Sequence, residues 1–168
     1  MPVSIQHRRS AEPSLRLLCP NGHLGFAPIK PGSFALGCAA EPDAICADSG
    51  SCDVGPGPLG ADISSSPRRW QEQDLDAMLL AARRLGVPMI IGSAGDTGSN
   101  SRVDLFVAMI QELAAKHRLP KFRLGYFYSE IAKDDLRRRM LAGDTVEGLD
   151  GRPPLDVATL DATDRVVA

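Results

Sequence analysis

The chain has 168 residues, of which 43% are hydrophobic and 24% charged, close to the average of folded domains, so a wholly disordered chain is excluded. Lys and Arg total 19 against 21 Asp and Glu, and this balance gives no reason to expect a nucleic acid or an anionic membrane as partner. No apolar run approaches the roughly 18 residues of a membrane span.

Cysteine use and the N-terminus both predict a cytoplasmic location. The four cysteines form no CxxC pair, and no His pair lies near them at the spacing of a zinc site. We therefore expect reduced thiols, the usual state in the cytoplasm. The basic stretch His7-Arg8-Arg9 is followed by no apolar segment, so no signal peptide is predicted.

The first part of the chain predicts two short strands and a helix. An apolar run over residues 15–19 ends at Pro20-Asn21-Gly22, which is typical of a strand followed by a turn. Residues 33–38 predict a short helix. Residues 44–47 predict a second, buried strand, which leads into a long Gly-rich loop over residues 48–60.

The clearest helix comes next in the chain. Its apolar residues recur at three- and four-residue spacing, with Ser66 as the N-cap, Pro67 in the first turn and Gly86 at the C-terminal stop. Residues 87–91 form a continuous apolar run of the kind found in buried parallel strands. A Gly-rich loop over residues 92–100 separates this strand from a second amphipathic helix.

Three more elements are expected after that helix. Residues 122–127 predict a fourth strand, and Ser129 is expected to cap a basic helix that ends at Gly143. Residues 165–168, Arg165 followed by three apolar residues, predict the start of another strand. The chain is therefore expected to be either complete or the front part of a longer protein.

This alternation of strands and helices predicts an α/β fold. The helices are long enough to act as crossovers, so we expect right-handed βαβ units, a mostly parallel sheet and three layers. Residues 1–13 predict a disordered leader, and residues 14–168 predict a single α/β domain. In such folds, ligands bind where strands end and loops lead into helices.

Three Gly-rich loops, over residues 21–25, 48–60 and 92–100, occupy positions of this kind. The third is the best candidate for holding a phosphate or carboxylate, because glycines let backbone amides approach a ligand and the next helix offers its positive end. It has neither the Lys of a P-loop nor a GxGxxG pattern, and the alternative is a plain strand-to-helix turn. The predicted substrate-binding residues are small or polar residues of these loops, namely Asn21, Gly22, Ser49, Gly50, Ser51, Gly92, Ser93, Gly95, Thr97 and Gly98.

Four titratable side chains of the same loops are the predicted catalytic residues. Asp48 and Asp53 lie in the second loop and Asp96 in the third, and such carboxylates can bind a divalent cation or share acid–base chemistry. His23, in the first loop, is a candidate general acid, base or ligand. The alternative is that the carboxylates only form turns and that His23 is a solvated loop residue.

The second and third loops also carry a family resemblance. Their Gly-rich segments are Asp48-Ser49-Gly50-Ser51-Cys52-Asp53-Val54-Gly55-Pro56 with Leu59-Gly60, and Ile91-Gly92-Ser93-Ala94-Gly95. Together with residues 18–25, they resemble the N-terminal region of the acyclic terpene utilisation AtuA-like family, over roughly residues 15–130. The resemblance implies a cytoplasmic bacterial catabolic protein that acts on an organic acid or acyl-CoA, often encoded beside a small partner subunit. Members are usually longer than this chain, which favours the front part of a longer protein.

Three functions stay open at this point. The first is an enzyme, or part of one, that binds a small anionic substrate and belongs to a lyase, hydratase or other class acting on carboxylic acids or acyl-CoA. The second is a non-catalytic module that binds a partner subunit or another copy of itself. The third, a nucleotide-binding domain, is the weakest, because the P-loop Lys and the GxGxxG pattern are missing.

Overall fold

The computed structural model describes residues 14–50 and 57–167. The leader predicted over residues 1–13 lies outside the described residues, as do Ser51, Cys52 and Asp53 of the second loop. The helices of the described part are α1 (Pro31–Ala39), α2 (Gly57–Ala61), α3 (Arg68–Leu85), α4 (Asn100–Lys116), α5 (Lys133–Leu141) and α6 (Val157–Ala162). Its strands are β1 (Leu17–Leu18), β2 (Ala44–Asp48), β3 (Met89–Gly92), β4 (Glu130–Ile131) and β5 (Val166–Val167).

The two long helices follow from local sequence. Leu75, Met78 and Leu79 of α3 are buried at the predicted spacing, and the helix ends at Gly86, whose φ of 71° favours glycine. Pro67 is the N-cap, so α3 begins one residue later than predicted. The buried residues of α4 obey the same periodicity and are Val103, Phe106, Met109, Ile110 and Leu113. None of the described helices is both long enough and apolar enough to cross a bilayer.

A parallel sheet carries the candidate loops. Its strands lie in the order β1-β2-β3, with Leu18 opposite Ile45 and Ala47 opposite Ile91. These four residues share one face, and they form the core with buried residues of α3 and α4. Burying one such aliphatic side chain fully stabilises the fold by about 1.5–3 kcal/mol.

The opposite face of this sheet is open to solvent in the part of the chain that is described. Leu17, Cys46 and Ile90 lie on it by register, and Leu17 and Ile90 are 63% and 54% exposed. The predicted α/β class is confirmed by the helices and the parallel sheet. The three-layer arrangement and the right-handed crossovers stay predictions, because a third layer would have to cover this face.

The C-terminal part of the chain differs from the sequence-based expectation. Residues 122–127 form no strand, and the strand of this region is β4, which pairs antiparallel with β5. The strand expected to begin within residues 165–168 is β5, and it is paired with β4. The helix expected after Ser129 begins only at Lys133, with Ala132 as its N-cap. The pattern of apolar residues was misleading here, because alternation indicates only that a segment is half-buried. A strand also needs a neighbouring strand whose backbone groups pair with its own.

Candidate functional site

The three predicted loops meet at the carboxyl-terminal edge of the parallel sheet, and Ser49 joins them. Its side chain is fully buried, its amide donates to Gly92 O at 2.8 Å and its carbonyl accepts the Asp96 amide at 3.1 Å. Its Oγ accepts the Gly95 amide at 3.2 Å. The first loop joins at Leu24, whose amide donates to Asp48 O at 2.8 Å.

His23 and Asp96 come together beneath this junction. Nε2 of His23 lies 3.0 Å from Oδ1 of Asp96, and the two side chains are 7% and 1% exposed. The ring nitrogen is buried and has no aligned hydrogen bond, so the two groups are in close contact without a well-directed hydrogen bond. The imidazole stacks on Phe26 with 5.3 Å between ring centroids and 12° between planes. The pair is thus held in place and shielded from water.

Two serines that sequence reasoning did not name hold the Asp96 carboxylate. Ser64 Oγ donates to it at 2.9 Å, Ser65 N at 2.6 Å and Ser65 Oγ at 2.9 Å. Gln71 Nε2 donates in turn to Ser64 Oγ at 2.5 Å. The only sequence feature that could have indicated these two serines is the run of serines before α3, and such a run is equally typical of the start of a helix. Asp96 therefore sits in a satisfied buried network, and its carboxylate does not point into open space.

Asp48 occupies a different setting from Asp96. It is exposed, and its Oδ1 accepts the Gly50 amide at 3.0 Å, as in a turn. The two aspartates lie in adjacent loops, but Asp48 faces solvent. Among residues 14–50 and 57–167, no group of three or more His, Cys, Asp or Glu is placed to hold a metal ion. Asp53, the remaining predicted carboxylate, lies outside these ranges.

Two of the glycine amides of the third loop, which was expected to hold an anion, already have acceptors within the protein. Gly95 donates to Ser49, and the Gly98 amide donates to Ala94 O at 3.0 Å. At the start of α4, the Asn100 amide donates to Oε1 of Glu130 at 3.0 Å. The amides of Gly95, Gly98 and Asn100 are therefore engaged by the chain's own acceptors in this structure.

Asp62 forms a second network that sequence reasoning missed, at the N-terminal end of α4. Its carboxylate accepts Ser99 Oγ and, at 2.7 Å, Ser101 Oγ, and it pairs with Arg165 Nη1 at 2.6 Å. Burial alone would raise the pKa of Asp62, but the serine hydrogen bonds and Arg165 outweigh burial and hold the pKa well below its usual range. Arg165 precedes β5, so this carboxylate ties the small antiparallel sheet to α4.

Asn21, a predicted substrate-binding residue, has a structural partner instead. Its Nδ2 donates to Oδ2 of Asp74 at 2.9 Å, and the same carboxylate accepts the amides of Gly25 at 2.9 Å and Ile29 at 3.0 Å. Asp74 is 1% exposed, and it therefore anchors the whole first loop on α3. Gly22 is exposed at the tip of that loop.

An apolar cleft of about 690 Å³ opens beside β3 and the third loop. One end is polar and carries Ser93, Thr97, Gly98 and Ser129, and Asp96 also lines the cleft although its carboxylate is buried. The walls are apolar and include Val103, Phe106, Val107, Ile110, Leu124 and Phe127. The cleft is thus shaped for a ligand with one polar end and an apolar body.

Comparison with protein-family models, with curated proteins and with solved structures found no match to this chain.

Proposed function

We propose that the chain is a cytoplasmic catabolic enzyme, or a subunit of one, that binds a small organic acid or its acyl thioester at the carboxyl-terminal edge of the parallel sheet. The cleft beside β3 is the observation that carries this proposal. Its volume of about 690 Å³ falls in the range of roughly 300–1,000 Å³ that is usual for small-molecule sites. The AtuA-like resemblance of the same loops supports an acid or acyl-CoA as the ligand.

The acyl chain and the acid or thioester group of such a ligand match the apolar walls and the polar end of the cleft. An acyl chain lying against Phe106, Val107 and Ile110 would gain about 0.8 kcal/mol for each buried methylene group. The carboxylate or thioester would lie at the polar end, where Ser93 and Ser129 offer hydroxyl donors. The amides of Gly95 and Gly98 are not needed in this arrangement, so their internal hydrogen bonds can persist.

The proposed proton-transfer residues lie behind the polar end of the cleft. Asp96 lines the cleft at its base and contacts His23 at 3.0 Å. A carboxylate and an imidazole are the side chains that most often transfer protons in enzymes, which suits an acid–base role for this pair. Asp48 and Asp53 of the neighbouring loop stay candidates for catalysis or for a divalent cation.

Thermal-shift and calorimetric titrations with carboxylic acids of increasing chain length, and with their CoA thioesters, test this function. We expect stabilisation that grows with chain length and then stops when the cleft is full, because stabilisation follows occupancy. Equal responses to short and long acids, or no response to any of them, would contradict the proposal.

A non-catalytic partner-binding module is the second candidate, and exposed apolar residues favour it. Leu17 and Ile90 lie on the open sheet face, and Phe127 at the cleft mouth is 90% exposed. Large exposed apolar patches mark interaction sites. Size-exclusion chromatography with light scattering distinguishes the candidates, since a module of this kind self-associates or needs a partner. A well-behaved monomer that binds acids supports the first function. Against the nucleotide-binding alternative, the amides of Gly95 and Gly98 already donate to acceptors of the chain itself.

A further inference from the structure

Two of the cysteines lie close to each other in the parallel sheet, Cys19 directly after β1 and Cys46 within β2. The register of β1 and β2 places Leu17 opposite Ala44 and Leu18 opposite Ile45, so the next pair in register is Cys19 and Cys46. Neighbouring strands lie about 4.8 Å apart. This separation falls within the Cα–Cα window of about 4.4–6.8 Å in which a disulfide can form.

The same register puts both thiols on the open face of the sheet. Residues directly opposite each other in a parallel pair point to the same side, and this side also carries Ile90. Cys19 is exposed and Cys46 is half-buried, so an oxidant reaches Cys19 first. Cys38 is buried in the core, which lies on the other face.

A further property of Cys46 agrees with this placement. Burial and the neighbouring thiol of Cys19 both raise the pKa of the Cys46 thiol. In the reduced state, the Cys19 Sγ donates to the carbonyl oxygen of Asn21 at 3.1 Å, within the loop that carries His23. A bond at Cys19 would therefore act on the predicted site loop as well as on the sheet.

We propose that Cys19 and Cys46 form a modification site, at which a hydroperoxide converts the pair into a reversible disulfide between β1 and β2. The Cys19 thiolate attacks one peroxide oxygen, the O–O bond breaks, and Cys19 becomes a sulfenic acid while an alcohol, or water from hydrogen peroxide, leaves. The Cys46 thiolate then attacks the Cys19 sulfur, the S–S bond forms and a second water leaves. Two thiols and one peroxide thus give one disulfide, one alcohol and one water, and a small thiol reverses the bond by exchange.

A variant with only these two cysteines gives the direct test. The background Cys38→Ala with Cys52→Ser is treated as the intact chain with one equivalent of hydrogen peroxide, alkylated, and cleaved on the amino side of aspartates. Because aspartates stand at positions 43 and 48, Cys46 is then isolated in the peptide of residues 43–47. We expect both thiols to disappear together, a crosslinked peptide that joins residues 43–47 to the Cys19 peptide, and full recovery with dithiothreitol.

Matched variants make the outcome decisive. Adding Cys46→Ser should stop the reaction at a sulfenic acid on Cys19, which dimedone traps, and adding Cys19→Ser should leave Cys46 largely unreacted. Wild-type protein should give the same 19–46 bond. The proposal is overturned by loss of one thiol alone in the two-cysteine background, by a bond between two copies on a non-reducing gel, or by a Cys19–Cys52 bond in the wild type. Melting curves of the reduced variants should match that of the wild type, so that altered folding does not account for the pattern.

Discussion

Nε2 of His23 lies 3.0 Å from Oδ1 of Asp96, and the two side chains are shielded to 7% and 1% exposure. The residues belong to loops that follow different strands, and they meet because Ser49 of the middle loop binds the third loop through its amide, carbonyl and hydroxyl. Their proximity is therefore a consequence of parallel strand order. Asp96 also belongs to the loop that lines the cleft, although its carboxylate is buried.

Replacing Asp96 should destabilise the protein far more than replacing Asp48. Asp96→Ala leaves Ser64 and Ser65 without their buried acceptor and removes the carboxylate that contacts His23, which costs about 3 kcal/mol. Asp48 is exposed and binds only one nearby amide, so Asp48→Ala should cost less than about 1 kcal/mol. Urea denaturation of the two variants measures the difference, and equal costs would show that the buried network does not form.

Asp74 should be as important to stability as Asp96, although it lies outside the cleft. Asp74→Ala removes the acceptor of Asn21 Nδ2 and of the amides of Gly25 and Ile29, at a cost of about 3 kcal/mol. Asp76 of the same helix is the control, because it pairs near the surface with Lys116 and His117 and its loss should cost less than about 1 kcal/mol. Limited proteolysis should cut residues 21–29 faster in the Asp74 variant alone. Resistance equal to that of the wild type would contradict the anchoring role.

Filling the cleft should abolish acid binding without unfolding the protein. Val107 is half-buried on the cleft wall, so Val107→Trp adds volume where the acyl chain would lie. Wild type at a ligand concentration of 100 times Kd should gain about 2.7 kcal/mol of stability, and the variant should gain none. Leu141→Trp, at a 73% exposed position of α5, is the control that should keep the full ligand effect. Loss of binding in both variants, or in neither, would place the ligand elsewhere.

The ionisation of Asp62 should make the stability of the folded protein depend on pH in the acid range. Its pKa in the folded protein lies below the unfolded value, so the ionised carboxylate contributes stability above the unfolded pKa of about 3.9. That contribution is lost as pH falls through the lower folded pKa. Asp62→Asn should therefore be less stable than the wild type at neutral pH. As the pH falls below about 4, the variant should also lose less stability than the wild type. Asp134→Asn, whose side chain is 96% exposed, should follow the wild-type curve.

Tyr128 should ionise late in an alkaline titration. Its Oη donates to Oδ1 of Asp104 at 2.6 Å, and this hydrogen bond raises the pKa of Tyr128 to about 12. The chain has only two tyrosines, so Tyr126→Phe leaves Tyr128 as the sole phenol for an ultraviolet titration. Adding Asp104→Asn should move the midpoint toward about 10. A titration midpoint that is the same with and without Asp104→Asn would show that the hydrogen bond is absent in solution.

Much of the helical and core structure could be predicted from local pattern. The spacing of apolar residues in α3 and α4 specifies their buried stripes, and Gly86 ends α3 because a left-handed residue there favours glycine. The apolar run of β2 marked a buried strand, whereas the strand predicted from the apolar run of β3 is only half-buried, with Ile90 54% exposed. The clustering of His23 and Asp96 was also expected, since parallel strands bring their following loops to one edge.

Other features depended on tertiary contacts. Ser64 and Ser65 bind Asp96 across more than 30 residues, and nothing within the serine run distinguishes a carboxylate ligand from a helix start. The pattern of apolar residues over 122–127 is typical of a strand, yet these residues form none. The strand of this region is β4, which pairs with β5. Periodicity is a local property that determines which side of an element is buried, whereas strand pairing and charge pairing depend on which distant segments fold next to each other.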